Sequence, residues 1–424
     1  MQAEKTAEFG KWRSFFWPIH RGELGKFLPM FLIFFFVSFN YNVLRSYKDT
    51  MIVTAPHGGA EALPFIKVWA VLPAAVLLTL LFTRLSSRFS REKVFYIMIS
   101  LFLCFFLIFT FVLYPAQHNL HPNALADQFQ SVLPSGAKGF IAVFRNWTFT
   151  LFYVMSELWS TAIFSVLFWG FANEVISVDE AKRFYGLFAT GGNIAGIFAG
   201  QAAYYFSGQI FLKWLPYGTS PWDQSILFLT CALTCSGLVA MGLFRWLNVR
   251  VIRKEEAGGA PKERIRISMR ENFFYLIRSK YLICIALIVL GYNIAMNLVE
   301  VVWKNQMREL YPDPIQYNIY MGQVMTVMGI IATAAGVLAT TNLIRRYSWA
   351  ACALIPLVVV GVTGLAFFLF VAPEQWGLGW VCSMVGMSPL MLSVFFGSMQ
   401  NCMSRASKYT FFDATKALTS HRTE

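Results

Sequence analysis

The stretch FLPMFLIFFFVSFNYNVLRSYKD, residues 27–49, decides how the rest of the chain is read. From Phe27 to Phe39 it carries no charge, and then Arg45, Lys48 and Asp49 fall within five residues. On the surface of a soluble protein such a trio would need no explanation. After an apolar run of this length it does, because the flanking sequence has the character of a membrane span. Composition points the same way. Of 424 residues, 57% are hydrophobic, 17% aromatic and 13% charged, about half the charge of a soluble domain. Forty-two Phe and thirteen Trp exceed what a water-facing surface can hide. The expected fold class is all-α, a polytopic helical membrane protein embedded in a lipid bilayer.

Apolar runs long enough to span lie at about 27–49, 65–83, 94–114, 139–173, 184–208, 225–247, 281–303, 318–341, 349–371 and 377–402. That makes ten helices, the fourth of them long enough to be tilted. Cations alternate from loop to loop. Lys5, Lys11, Arg13, Arg21 and Lys26 precede the first span, Arg84, Arg88, Arg91 and Lys93 follow the second, Lys182 and Arg183 the fourth, and Arg345 and Arg346 the eighth. The segments 115–138 and 209–224 hold one lysine each, and 372–376 none. A cytoplasmic N-terminus puts those basic loops inside. The first 26 residues lack an h-region and a cleavage site, so the first helix is expected to serve as its own insertion signal.

The segments expected are a cytoplasmic stretch 1–26, a six-helix bundle 27–247, a basic linker 248–280, a four-helix bundle 281–402 and a cytoplasmic tail 403–424. Six spans, a linker with nine Lys or Arg and then further spans is the layout of two-bundle transporters. Tyr41-Asn42 and Tyr292-Asn293, each followed by charge late in the opening helix of a half, echo one another. The net charge of +13 therefore belongs to topogenic loops facing lipid headgroups, and no nucleic acid is expected as a partner.

An ionised side chain at the bilayer centre costs about 2.5–3.5 kcal/mol on insertion scales, so such residues need partners or water. Glu157 stands more than two turns from any other charge, near the middle of the fourth span. It either holds two helices together or serves a site. Asn42, Arg45 and Lys48, three apart, form a polar stripe, with Asp49 free to tie down one cation and leave the other available. Asn293, Asn297, Glu300 and Lys304 repeat the pattern in the seventh span, where the amides could bond a sugar or a base edge. Lys67 and Arg145 lie near the ends of the second and fourth spans. Cations (Arg45, Lys48, Lys67, Arg145, Lys304) outnumber anions (Asp49, Glu157, Glu300), which suits a cavity that receives an anion.

Other chemistries find no support. GLFATGGNIAGIFAGQAA, residues 186–203, lacks the Gly-Lys-Ser/Thr of a phosphate loop. Gly192, Gly196 and Gly200 recur every four residues instead, a groove for close helix approach, with Asn193 able to face a cavity. Seven cysteines lie inside apolar segments and read as packed thiols. Five histidines make no metal set, and no catalytic constellation is visible, so neither a metal, a cofactor nor an enzymatic role is expected.

Four stretches carry a family resemblance: FNYNVLRSYKDTMIVTAPHGGAEALPFIKVW, RNWTFTLFYVMSELWSTAIFSVLFWGFANEV, EAKRFYGLFATGGNIAG and NLVEVVWKNQM. In this order, and over about residues 11–416, the chain resembles the ATP/ADP translocases, the nucleotide transporters of plastids and obligate intracellular bacteria. The resemblance implies a major-facilitator-like fold of twelve helices and exchange of ATP and ADP by alternating access. A monomer in a bacterial inner membrane is expected. It associates a lysine of the first helix, a glutamate of the fourth or fifth and a glutamate of the seventh with transport, here Lys48, Glu157 and Glu300. Substrate contacts are accordingly expected at Lys48, Arg45 and Arg145 for phosphates, at Asn293 and Asn297 for ribose or base, and at Glu157 and Glu300 as counter-charges or proton carriers. Two departures are visible. Many relatives have Arg-Asp-Thr-Lys-Asp where this chain has Arg45-Ser46-Tyr47-Lys48-Asp49, which bears on substrate choice and on proton coupling. The resemblance also ends at Lys416, before an eleventh and twelfth helix, so a truncated product is expected. Proton-coupled import of nucleoside triphosphates and a non-transporting remnant are the alternatives.

Overall fold

In lipid every backbone polar group must be satisfied within its own segment, and apolar runs of this length resolve into helices. The computed structural model describes residues 17–208, 210–252, 280–338, 349–372 and 379–407, and none of the described residues is in a strand. Ten successive helices occupy the places of the ten apolar runs: α1 (Leu24–Val53), α2 (Ala62–Arg88), α3 (Arg91–Leu113), α4 (Trp147–Val175), α5 (Val178–Gly208), α6 (Pro221–Val251), α7 (Lys280–Leu310), α8 (Pro314–Leu338), α9 (Trp349–Val371) and α10 (Pro389–Ser407). Among the described residues six of these, α1 to α4, α6 and α8, are by themselves long and apolar enough to cross a membrane. Most of the linker expected at 248–280, the loop with Arg345 and Arg346 and the segment beyond Ser407 lie outside the described residues.

Three expectations are corrected. The long fourth span breaks at Asn146, whose φ of −100° and ψ of 45° leave the helical region. Its amide donates to Pro56 O and Ala142 O at 3.3 Å, so Lys138–Arg145 becomes a separate helix and α4 starts at Trp147. The tenth run also breaks. Gly386 adopts a positive φ of 67° that a side chain would disfavour, and Gly379–Val385 meets α10 at 86°. The cysteines are not uniformly packed: Cys104, Cys231 and Cys235 are exposed, while Cys382 and Cys402 are buried.

α1 is the axis of the molecule. Every residue from Val43 to Val53 is buried, enclosed by α4, α5, α6 and α8. At its start, Lys26 pairs with Glu180 at 3.1 Å and Arg183 with Glu23 at 2.6 Å, tying α1 to the beginning of α5. α2 by contrast presents Val68, Trp69, Leu72, Val76, Leu77 and Leu80 outward, the face expected of a helix in lipid.

The four-residue glycine repeat of α5 packs two neighbours. A Cβ on Gly192 would meet Phe34 of α1 at 3.0 Å, whereas one on Gly200 would lie 2.5 Å from Gly322 O of α8. Gly322 and Gly329 return the approach from α8, with Gly200 O and Asn193 O at 2.6 and 2.9 Å from their Cβ positions. The α5–α8 seam is therefore backbone against backbone. Gly200→Val is expected to lower the thermal midpoint in detergent, at an overpacking cost of about 1–3 kcal/mol. Gly242→Val, whose Cβ position meets nothing within 4 Å, should leave it unchanged.

Candidate functional site

The stripe on α1 continues through the helix at three- and four-residue steps: Phe34, Ser38, Tyr41, Asn42, Arg45, Lys48, Asp49. Its last three members enter a continuous chain of ion pairs. Lys48 Nζ lies 2.8 Å from Glu157 Oε2 of α4 and 3.5 Å from Asp49 Oδ1. Asp49 Oδ2 meets Lys304 Nζ of α7 at 2.8 Å, and Lys304 reaches Glu300 Oε1 one turn back at 3.0 Å. Arg45 Nη2 closes on the same oxygen at 3.2 Å, and Arg405 of α10 approaches it at 3.7 Å. Asp49 thus bridges two lysines, where the sequence left one cation available. Arg45–Glu300 and Asp49–Lys304 both join α1 to α7.

Burial makes these pairs matter. The Asp49 and Lys304 side chains are 1% and 2% exposed, so each depends on the other for compensation. Lys48 Nζ also sits 3.9 Å from the centroid of the Tyr153 ring, a cation–π contact from α4. Polar groups on α1, α5 and α8 knit the neighbouring layer. Asn318 accepts from Ser46 Oγ at 2.5 Å and from Thr50 Oγ1 at 3.0 Å, and donates to Ser207 Oγ at 2.6 Å.

On the side of the ion pairs toward the start of α1 lies a cavity of about 500 Å³, formed by α1, α4, α5, α8 and α10. Its described lining includes two cations, Arg45 and Arg405, and no carboxylate. From Phe34 to Arg45 its wall follows α1 for about 16 Å. A π-helical stretch in α4, Ser160–Trp169, sets Ser160, Phe164, Ser165 and Trp169 together on the cavity face. Widened turns of this kind recur at functional sites.

The expected residues divide. Lys48, Arg45, Glu157 and Glu300 come together in one chain of pairs. Arg145 does not join them: it is buried against Asp127 Oδ1 at 2.6 Å and Gln130 Oε1 at 3.2 Å, next to the Asn146 break that turns it away from α4. Asn297 accepts from Lys67 Nζ and donates to Asn293 O at 2.7 Å, and neither amide is among the described residues lining the cavity. Arg405 went unread because the tenth span was ended at residue 402. The polar spacing of Ser398, Asn401 and Ser404 could have carried the helix on to it. Ser38 and Asn318 were missed as single polar residues in apolar runs.

Fold and site together define an integral membrane protein with an internal cavity bordered by cations and backed by a buried chain of ion pairs. The family model described as TLC ATP/ADP transporter matches residues 2–420, and the chain belongs to that family. It is 45% identical to ADP,ATP carrier protein 1 of Chlamydia trachomatis serovar D over 421 residues, 98% of this chain and 79% of that one. It is 39% identical to the chloroplastic ADP,ATP carrier protein 1 of Arabidopsis thaliana, over 93% of this chain and 62% of that one. The plastidic ATP/ADP-transporter of Solanum tuberosum is likewise 39% identical over 93% of this chain. No solved structure matches the chain.

Removing one partner of a buried pair strands the other. Lys304→Ala leaves Asp49 with the more distant Lys48 alone, and a destabilisation of about 3–5 kcal/mol is expected. The double variant Asp49→Asn, Lys304→Met should recover part of it. Thermal unfolding of the single and double variants in one detergent checks the coupling, and additive losses would show that the pair is not one unit.

Proposed function

We propose that the chain exchanges ATP and ADP across a membrane by alternating access, without chemical change to either nucleotide. The observation that carries this is the cavity whose lining has Arg45 and Arg405 and, among the described residues, no carboxylate. A polyphosphate is the cargo that such a lining favours. The kinship with proteins named as ADP,ATP carriers supports the nucleotide as the particular polyphosphate. Lys48, behind Arg45, extends the positive field, and Glu157 and Glu300 hold the cations while the cavity is empty. Arg405 takes the phosphate role that the sequence gave to Arg145.

Exchange follows from the same contacts. Glu300 pairs with Arg45, Lys304 and Arg405, joining α1, α7 and α10. An entering phosphate competes for the two arginines and loosens the α1–α7 connection. Reorientation is thereby favoured with cargo and opposed without it, on either side of the membrane. The moving bodies are α1–α6 and α7–α10, a two-bundle monomer in a bacterial inner membrane with its N-terminus in the cytoplasm.

Labelled ATP uptake into proteoliposomes tests this. Uptake should require internal ADP and survive a protonophore. Loss of uptake with the protonophore would transfer the function to proton-coupled import. Lys48→Ala is expected to lower uptake at least tenfold while still inserting into the membrane, and normal uptake by that variant would remove Lys48 from the mechanism.

A further inference from the structure

Between α3 and α4 the chain forms a helical hairpin, Asn123–Val132 and Lys138–Arg145, packed against the start of α2. Polar contacts hold it there. Arg145 is 2% exposed and bonds Asp127 and Gln130 of the first limb. His121 Nε2 lies 2.6 Å from Thr148 Oγ1, and Trp147 Nε1 donates to Leu120 O at 2.8 Å, so the approach to the hairpin is tied to the first turn of α4. Gly139 admits the second limb to α2, since a Cβ there would collide with Glu61 O.

The outer surface of the hairpin is apolar. In the first limb Leu125, Phe129 and Val132 step by four and three residues, which puts them on one face, and all are exposed, Val132 by 81%. In the second limb Phe140 and Phe144 are exposed as well. With Trp147 and Leu151 of α4 they step by four, three and four, straight through the break at Asn146. Phe129 meets Phe144 edge-on at 5.8 Å, and Phe140 meets Phe65 of α2 at 6.4 Å. The stripe is therefore continuous with the outward faces of α4 and α2, where Leu151, Val68 and Trp69 are exposed. An apolar patch of this breadth marks a contact with something apolar.

We propose that the hairpin 123–145 is an interfacial anchor, with Leu125, Phe129 and Val132 immersed in the leaflet on the side away from the N-terminal segment. Continuity with α2 and α4 selects lipid as the occupant, because the same surface runs without interruption into helices that lie in hydrocarbon. Headgroup charge has little part in it. Apart from buried Arg145, the only Lys or Arg of the hairpin is Lys138. The Arg145–Asp127 pair couples the immersed limb to the start of α4, and so sets the level at which α4, with Tyr153 and Glu157, stands in the bilayer.

Neighbouring cysteines test this in the full chain reconstituted into phosphatidylcholine vesicles. Ala124 and Ser131 are exposed too, but lie about 100° round the helix from Leu125 and Val132. A membrane-impermeant maleimide needs a thiolate in water, and apolar surroundings raise the pKa of a thiol. Leu125→Cys and Val132→Cys should therefore label about tenfold or more slowly than Ala124→Cys and Ser131→Cys. Labelling is compared within each pair, relative to the total after denaturation in SDS, and the unsubstituted chain gives the background of its own cysteines. A single size-exclusion peak in detergent shows that a variant is folded, and either pair decides the question without the other. Equal labelling within a pair, or faster labelling of Val132→Cys as its exposure alone dictates, overturns the anchor. Protection that is lost when the protein is diluted with lipid assigns the surface to a second copy of the chain and overturns it too. Protection that persists on dilution is the expected result.

Discussion

The pairing of Asp49 with Lys304 is the constraint on which the rest of the interior depends. Both side chains are almost wholly buried and compensate one another's charge, and they belong to helices separated by more than two hundred residues of chain. Bringing them to 2.8 Å fixes how α1 lies against α7. Lys48 then has one carboxylate on its own helix and another on α4, and Glu300 is placed within reach of Arg45, Lys304 and Arg405. Low-dielectric surroundings make each of these contacts expensive to lose and each unpaired intermediate unfavourable. Under the proposed exchange, such a chain of pairs would act as a latch between two end states.

Separation of charge within the site is as informative as its sum. Four cations and three carboxylates take part in the ion pairs, so the cluster is close to balanced. The carboxylates are kept off the cavity lining, whereas two of the cations form part of it. Under the proposed function a polyphosphate would meet Arg45 and Arg405 at the cavity wall, with the carboxylates lying behind them. The glycine seam between α5 and α8 complements this arrangement: it holds the two helices at backbone contact beside the cavity and spends no side-chain volume there.

Some of this is legible in the amino-acid sequence. Lys48, Glu157 and Glu300 stand out because charge is rare in apolar runs, and the four-residue glycine spacing announces a close helix contact. Arg145 and Arg405 could not be told apart in the same way. Both sit at the edge of an apolar run, where hydropathy changes slowly, and which edge residue turns inward depends on breaks that composition does not mark. Asn146 ends one helix and sends Arg145 to Asp127, while α10 carries on past residue 402 and delivers Arg405 to Glu300. On α7, Asn297 accepts from Lys67, and neither Asn297 nor Asn293 is among the described residues lining the cavity.

By itself the sequence determined that the chain crosses a membrane many times, that its cations collect in alternate loops, that a few charges must be enclosed, and to which family it belongs. The first three follow from the cost of placing each residue in lipid, and the family from the resemblance of four short motifs; all are properties of short stretches. Only the tertiary structure decided that Asp49 serves two lysines, that Arg405 and not Arg145 borders the cavity, and that the Ser38 hydroxyl is buried without a hydrogen-bond partner among the described residues. Those outcomes depend on which helices meet and at what depth. Contact between segments hundreds of residues apart is set by the packing of the whole, which no local stretch contains.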